Sequence, residues 1–340
     1  MGRTNETDSF ADFLAPVTVE AFRRDVLDRA PLHIPGRADK FADLMSWEIL
    51  NQLLDMTAIW SSQSLQLALD CEMIPPERYC QRGRDRSGRD AWRAQPTRVR
   101  ALIRQGASLL LNDIDTLTPG LRGVADLLER TFGAKVQINL YCSWRERQAF
   151  PSHFDTHDVF ALHIAGAKRW TVYRGRADQP VDHPAWKAMG QGHHERAKGD
   201  VLMSVDLGPG DILYLPRGQY HDALATGETS IHLAVGVNEP LGLDVVTLLF
   251  EAGATAASLY RRRLPPAGDR AAIEGRLHAL AADMRHRMAD PGFRAALEAF
   301  QTAHRYRRGG FPARPGFRDS PVKDVVSAPE DGTRGPSTYR

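Results

Sequence analysis

From residue 135 to residue 240 the chain is a succession of short β-rich runs: KVQINLYCSW, VFALHIA, KRWTVYR, VLMSVDL, DILYLP and SIHLAVGV. Turn residues separate them, the signature of an all-β barrel or a double-sheet jelly roll. Helical patterns flank this stretch. Residues 10–56 read as helix: VTVEAFRRDVLDRA starts at Thr18 as cap and puts Val19, Phe22 and Val26 on one face, and SWEILNQLLDM has Ser46 as cap with Glu48 in its first turn. TRVRALIRQGASLLLND reads as helix, glycine stop, then strand, and LRGVADLLERTFGA as an amphipathic helix stopped by Gly133. Beyond Pro240, LDVVTLLFEAGATAASLYRRRL, AAIEGRLHALAADMRHRMA and PGFRAALEAFQTAH are helical, with apolar stripes that fit docking on the barrel or on a second subunit. Residues 71–96 are polar, Arg-rich and punctuated by Pro and Gly, so they read as a long surface loop. The expected organisation is an N-terminal helical segment with an Arg-rich loop (1–96), a barrel (97–240), a helical region (241–308) and a disordered tail (309–340), an α+β fold.

Composition bounds the function classes. The chain has 340 residues, 42% apolar and 25% charged, which is the profile of a soluble globular protein. No run of about 18 apolar residues predicts a transmembrane helix, and MGRTNETDSFADF has no apolar stretch of the kind a secretory signal carries. The cysteines, Cys71, Cys80 and Cys142, form no CxxC pair and are expected as free thiols in a reducing cytoplasm. Net charge is +2, with 16 Lys/Arg against 9 Asp/Glu in residues 261–340 and a second basic stretch at 78–100. Only six basic residues are Lys, so Arg is used throughout, and these runs read as solvated faces. No helix-turn-helix, zinc finger or RNP-like motif supports a nucleic-acid partner. There is no GxSxG, no P-loop and no Rossmann fingerprint, since GQGHHE at 190–195 lacks the third glycine.

The stretch PSHFDTHDVF concentrates the chemistry. Residues two apart on a strand share a face, so His153 and Asp155 project together as a ligand pair must. A third ligand is offered by GDILYLPRGQYHDA, where His221 follows a strand and a turn. Two His and one carboxylate make a facial triad that leaves positions open on Fe(II). Zinc would more often bring Cys or a third His; His157 has the right parity for that extra ligand but is expected near the site rather than bound. Histidines 183, 193 and 194 lie between strands and are expected to be solvated.

The motifs GASLLLNDID, QINLY, HFDTHDVFALHIAGAKRW, GDILYLPRGQYHDA and SIHLAVGV, in that order, resemble the JmjC/cupin-type 2-oxoglutarate oxygenases, in particular the bacterial ribosomal oxygenase branch. The segment DRAPLHIPG…KFADLMSWEILNQLL also looks like the one that precedes the barrel in that family. The resemblance implies a double-stranded β-helix (jelly-roll, cupin) core with an N-terminal helical region and a C-terminal helical dimerisation bundle. It implies iron ligands at His153, Asp155 and His221, and Lys168 pairing with the far carboxylate of the co-substrate 2-oxoglutarate. Asn139 falls where the family has an asparagine contacting the co-substrate, and Tyr141 and Ser230 fall on substrate-contacting positions. O2 is the second co-substrate, and the substrate is expected to be a protein or peptide side chain, with a free amino acid or small natural-product precursor as the alternative. A non-catalytic cupin would be expected to lose a ligand or the Lys, and this chain keeps all of them. Three departures from the pattern are read: no winged-helix module is expected after the helices, CSWRERQAFP is charged, and His163 stands where the family often has Gln. These departures bear on the substrate.

Spacing supports Lys168 independently. If Ala165-Gly166 forms a two-residue hairpin loop, Ile164 faces Ala167 and His163 faces Lys168. Odd positions before the turn and even positions after it then share a face, which holds His153, Asp155, His163, Lys168 and Trp170. A lone buried Lys is costly, and a dicarboxylate would neutralise it.

Overall fold

The computed structural model describes residues 9–84, 90–144 and 148–308. Eleven strands occur among them: β1 (Leu32–Ile34), β2 (Leu65–Leu69), β3 (Glu72–Met73), β4 (Cys80–Arg84), β5 (Asp90–Ala94), β6 (Ser108–Leu111), β7 (Lys135–Trp144), β8 (Asp158–Arg176), β9 (Val201–Leu207), β10 (Ile212–Leu215) and β11 (Gln219–Asn238). Their order in the main sheet is β1-β10-β8-β11-β7-β6-β2-β3, with β9 also on β8 and with β4 and β5 paired apart as a hairpin. All pairings are antiparallel. The jelly-roll reading therefore holds.

Strands β8 and β11 are 19 and 20 residues long and pair with each other along both halves. The first half of β8 lies between β10 and the end of β11, and its second half lies between β9 and the start of β11. Each long strand thus meets different neighbours along its two halves. On one face, Phe160, Leu162, Ile231, Leu233 and Val235 join the main core; on the other, Val159, Ala161, Trp170 and Val172 form a smaller apolar cluster.

The expected hairpin at Ala165-Gly166 is not there. The strand continues through it, and the parity switch comes from a bulge. Ala165 pairs with Ile231 and His163 with His232, so Ile164 is an extra residue with no partner of its own. One inserted residue moves the inward face from odd to even positions, which sets Lys168 and Trp170 on the face of Val159 and Ala161. The inference about Lys168 stands on different geometry. Gly166 closes the bulge at φ 72°, and a Cβ there would lie 1.9 Å from the Thr229 carbonyl oxygen.

Two other readings are corrected. Residues 10–56 are not uniformly helical. The helix begun at Val19–Ala21 widens into a π-turn at Phe22–Val26, and LHI forms β1 against β10. The loop expected at 71–96 contains β3, a short 3-10 turn at Pro76–Arg78 and the β4–β5 hairpin, anchored by the buried Tyr79 and Cys80. Helices Pro96–Arg104 and Pro119–Phe132 fall as expected, the latter capped by Thr118 and ended by Gly133 at φ 62°. The C-terminal helices span Gly242–Ala256, Ser258–Arg261, Arg270–Ala289 and Pro291–Ala303. The cysteines are free thiols. No helix among the described residues is long and apolar enough to cross a membrane. Residues up to Tyr306 form one compact unit, and the tail expected from 309 lies outside the described residues.

Phe22 seats the N-terminal segment on the barrel, its ring edge-on to Tyr214 at 5.0 Å. The Tyr214 hydroxyl donates to Asp158 at 2.5 Å and accepts from the Asp28 amide at 3.0 Å. Gly166→Ala is expected to lower the unfolding free energy by about 3 kcal/mol, through strain and the clash with Thr229. Gly123→Ala, in the helix Pro119–Phe132 where nothing meets the new Cβ, is expected to raise it by about 0.5–1 kcal/mol. Urea denaturation of the two variants measures both.

Candidate metal centre

His153 and Asp155 lie in the short segment before β8, and His221 is the third residue of β11. Two backbone hydrogen bonds tie the segments at the histidines themselves: His153 N–H to His221 O at 3.0 Å, and His221 N–H to His153 O at 2.8 Å. The Gly218 amide donates to the Asp155 carbonyl at 2.9 Å. One side-chain ligand atom from each of His153, Asp155 and His221 falls within 4.8 Å of the other two.

The imidazoles are oriented for coordination. His153 Nδ1 lies 2.9 Å from Pro151 O, and His221 Nδ1 lies 2.9 Å from Gln219 O. Each Nδ1 therefore carries its proton toward a carbonyl, which leaves the Nε2 lone pair for a metal. His221 Nε2 is 3.6 Å from Asp155 Oδ2. Burial, reinforced by His153, pushes His221 down to about 4, so it is neutral at physiological pH. Burial works to raise Asp155, but His221, His153 and His157 outweigh it and hold the carboxyl below the usual range. Two imidazoles with a free Nε2 and a carboxylate make a donor set that suits a divalent ion. His157 is outside this set; its ring packs on Gly236, where a Cβ would lie 2.7 Å from it.

A cavity of about 290 Å³ opens beside the triad. Tyr141, Phe150, Val159 and Trp170 supply apolar walls, and Lys168 and His232 supply the polar groups opposite. Lys168 is 4% exposed and pairs with no carboxylate among the described residues. Its Nζ has only Ser143 Oγ at 3.4 Å and His232 Nδ1 at 3.5 Å. Burial lowers its pKa to about 8. Burial, with Lys168 adding to it, holds His232 well below its ordinary value, and burial takes His163 to about 4. Both are neutral, and Lys168 is the one Lys or Arg among the described residues that line the cavity. An anion with a second chelating end would fit between Lys168 and the triad.

The other residues singled out by sequence fall at different depths. Tyr141 lines the cavity and stacks on His232, with ring centroids 5.0 Å apart. Asn139 shares its parity on β7 but does not line the cavity, its Oδ1 accepting from the Asp113 amide at 3.1 Å. Ser230 is fully buried, pairs with Ser143 and Gly166, and does not line the cavity. Of the three histidines read as solvated, His193 is exposed and His183 caps a short helix, but His194 is half-buried with its Nδ1 3.1 Å from the Tyr220 hydroxyl. Ser143, His232 and Phe150 were not singled out. Strand parity from Asn139 and Tyr141 reaches Ser143, and parity from Ser230 reaches His232. Phe150 comes from an irregular segment with no period to follow.

The fold is that of a JmjC/cupin domain, and it carries a group of two His and one Asp that could hold a metal ion. Residues 110–245 match the family model of the JmjC domain. Among curated proteins, the chain is 26% identical over 230 residues to a protein of Drosophila persimilis named bifunctional lysine-specific demethylase and histidyl-hydroxylase NO66, covering 67% of this chain and 31% of that one. The protein of the same name from Aedes aegypti is 26% identical over 279 residues, covering 78% of this chain and 42% of that one. The chain thus spans less than half the length of these relatives. Among solved structures, the Escherichia coli ribosomal oxygenase YcfD in complex with cobalt and 2-oxoglutarate aligns with a TM-score of 0.58 at 15% identity, over 89% of this chain and 76% of that one. A likeness at that identity speaks for the fold.

A dicarboxylate in this cavity would restore the Lys168 ammonium to full protonation. Binding would then take up a proton wherever the free protein has lost it, which is above about pH 8. Affinity is expected to be flat below that pH and to fall by up to about tenfold per pH unit above it. Calorimetric titration of 2-oxoglutarate across pH 7 to 10 checks this, and Lys168→Arg should abolish the alkaline fall.

Proposed function

We propose that this chain is an Fe(II)- and 2-oxoglutarate-dependent dioxygenase that hydroxylates a side chain of a protein or peptide. The observation that carries the reading is the sharing of one cavity by the His153, Asp155, His221 triad and the buried, carboxylate-free Lys168. The names of the curated relatives, which specify histidyl hydroxylation and lysine demethylation, support a protein substrate.

His153, Asp155 and His221 would hold the iron. When bound, iron and 2-oxoglutarate together use O2 to convert 2-oxoglutarate to succinate and CO2 while one oxygen atom enters a substrate C–H bond. The chain's own residues do the rest. Lys168 receives the far carboxylate, and Ser143 and His232 steady its Nζ. His232 stays neutral there, which avoids a second charge in the wall. Phe150 and Trp170 keep water from the metal end. Tyr141 faces the substrate side, its hydroxyl kept protonated because burial raises its pKa. Asn139 and Ser230 act from outside the cavity lining, Asn139 through the Asp113 amide and Ser230 through its strand neighbours.

The same reading includes a cytoplasmic homodimer. Helix Gly242–Ala256 leaves Leu243, Val246 and Phe250 exposed at spacings of three and four, with Phe250 62% exposed. Helix Arg270–Ala289 adds Leu277 at 59%. A protein left this way in water is expected to cover those faces with a second copy.

Anaerobic titration with Fe(II) and 2-oxoglutarate is expected to give the weak visible charge-transfer band of the chelate in wild type and none in His221→Ala. Absence of the band from iron-loaded wild type would sink the oxygenase reading. Mass spectrometry of incubated peptides should then show a product heavier by one oxygen atom; a product found only with free amino acids would move the substrate to the small-molecule class. Light scattering is expected to report a dimer for wild type and a monomer for Phe250→Asp.

A further inference from the structure

The metal-ligating segments are flanked by a hydrogen-bonded cluster that the proposed chemistry does not itself use. Ser152 immediately precedes His153, and Asp222 immediately follows His221. The Ser152 hydroxyl donates to Asp222 Oδ2 at 2.6 Å, so the residues adjoining two ligands are joined side chain to side chain as well as through the backbone. The Tyr173 hydroxyl, from the far half of β8, donates to the same oxygen at 2.6 Å. Lys198 Nζ donates to Ser152 Oγ at 3.1 Å and stands 4.6 Å over the Tyr173 ring.

Lys198 belongs to the connection between β8 and β9, and that connection grips the same segment elsewhere. Gln191 Nε2 donates to the Ser152 carbonyl at 3.2 Å, and Glu195 holds both Gln191 and Lys198. Phe154, the residue between ligands His153 and Asp155, lies edge-on among Trp186, His194 and Tyr220 at 6.1, 5.5 and 5.3 Å. The connection is itself pinned at Gly175, whose amide donates to Lys198 O at 2.7 Å and where any Cβ would lie 2.1 Å from the Ala197 carbonyl oxygen.

We infer that Ser152, Asp222, Tyr173 and Lys198, backed by the 184–198 connection, are positioning residues that hold the two ligand segments at the separation a metal requires. The inference rests on the metal-binding reading above. Its physical basis is preorganisation. His153 and Asp155 come from an irregular segment rather than from a strand, so their spacing to His221 depends on what fastens that segment. The ligand orienters Pro151 O and Gln219 O are backbone atoms of the very segments the clamp joins. Loosening the clamp therefore moves both the imidazoles and the groups that set their tautomers.

The test is calorimetric titration of the full chain with Co(II), with the visible ligand-field spectrum of the loaded protein as a second readout. Asp222→Ala and Ser152→Ala are expected to weaken Co(II) binding by about 10–100-fold and to alter the band intensities. Tyr173→Phe, which removes one donor and keeps the ring under Lys198, is expected to act in the same direction by a smaller factor and guards against a variant that fails to fold. Ser152→Thr, which keeps the hydroxyl, should restore affinity. Arg169→Gln breaks an ion pair on the outer face of β8 and should change neither readout. Affinities within twofold of wild type in Asp222→Ala, Ser152→Ala and Tyr173→Phe, with unchanged spectra, would overturn the clamp while leaving the metal site intact. A wild-type protein that binds no Co(II), indistinguishable from His153→Ala, would overturn the metal reading and the clamp with it.

Discussion

Everything at the site depends on the pairing of β8 with β11. These strands carry or border His221, Lys168, Trp170, His232 and Val159, and their mutual register decides which of those side chains meet. The register is not uniform. It slips by one residue at Ile164 and again where β11 bows out between Ala225 and Ser230. Without the first slip, the face that carries Val159 and Ala161 would carry Arg169 and Thr171 in the second half of β8, and Lys168 would point into the opposite layer. A strand 19 residues long that changes neighbours half-way along accommodates such a break, because twist and coiling accumulate along it.

The second governing term is desolvation. Lys168 is taken out of water without a carboxylate, and the depression of its pKa from 10.5 to about 8 corresponds to about 3 kcal/mol. His232 and His163 stay uncharged for the same reason, and two polar atoms nearby, His163 Nδ1 and Ser230 Oγ, are buried without a hydrogen-bond partner. A chain gains nothing in stability from this arrangement. A ligand that brings negative charge to Lys168 recovers part of the cost on binding, so the expense of folding becomes selectivity for an anion. The apolar walls at Phe150 and Trp170 keep that exchange undiluted by water.

Legibility in the sequence followed the periodicity of the elements. The strand run from 135 to 240 and the capped helix ending at Gly133 repeat at intervals that a strand or helix imposes, and both are readable; the HxD pair has strand spacing in the sequence but lies in an irregular segment before β8. Lys168 was placed on the correct face through a mistaken turn, because a two-residue hairpin and a one-residue bulge both reverse parity and leave the same pattern on either side. The Arg-rich stretch at 71–96 reads as loop because Pro75, Pro76 and Gly83 break its pattern, yet Tyr79 and Cys80 bury themselves and anchor a hairpin. The strand LHI was absorbed into the surrounding helices, since three residues are too few to show alternation and its partner, β10, lies about 180 positions later. His194 and Phe154 gave no signal at all. Their meeting depends on how the 184–198 connection folds back.

What the sequence by itself determined was the kind of chemistry and the kind of fold: two imidazoles and a carboxylate at strand-compatible positions, a lysine on an apolar strand, and a strand-rich centre between helical flanks. These are local properties, fixed by residue type and by spacing over a few positions. Only the tertiary structure decided that His221 lies hydrogen-bonded across from His153 and that Lys168 is buried without a carboxylate partner. It also decided that Ser152 and Asp222 join the two ligand segments. The reason is physical. Those relations connect residues tens of positions apart through inter-strand hydrogen bonds and register shifts, and no periodicity along the chain encodes the register in which distant strands pair.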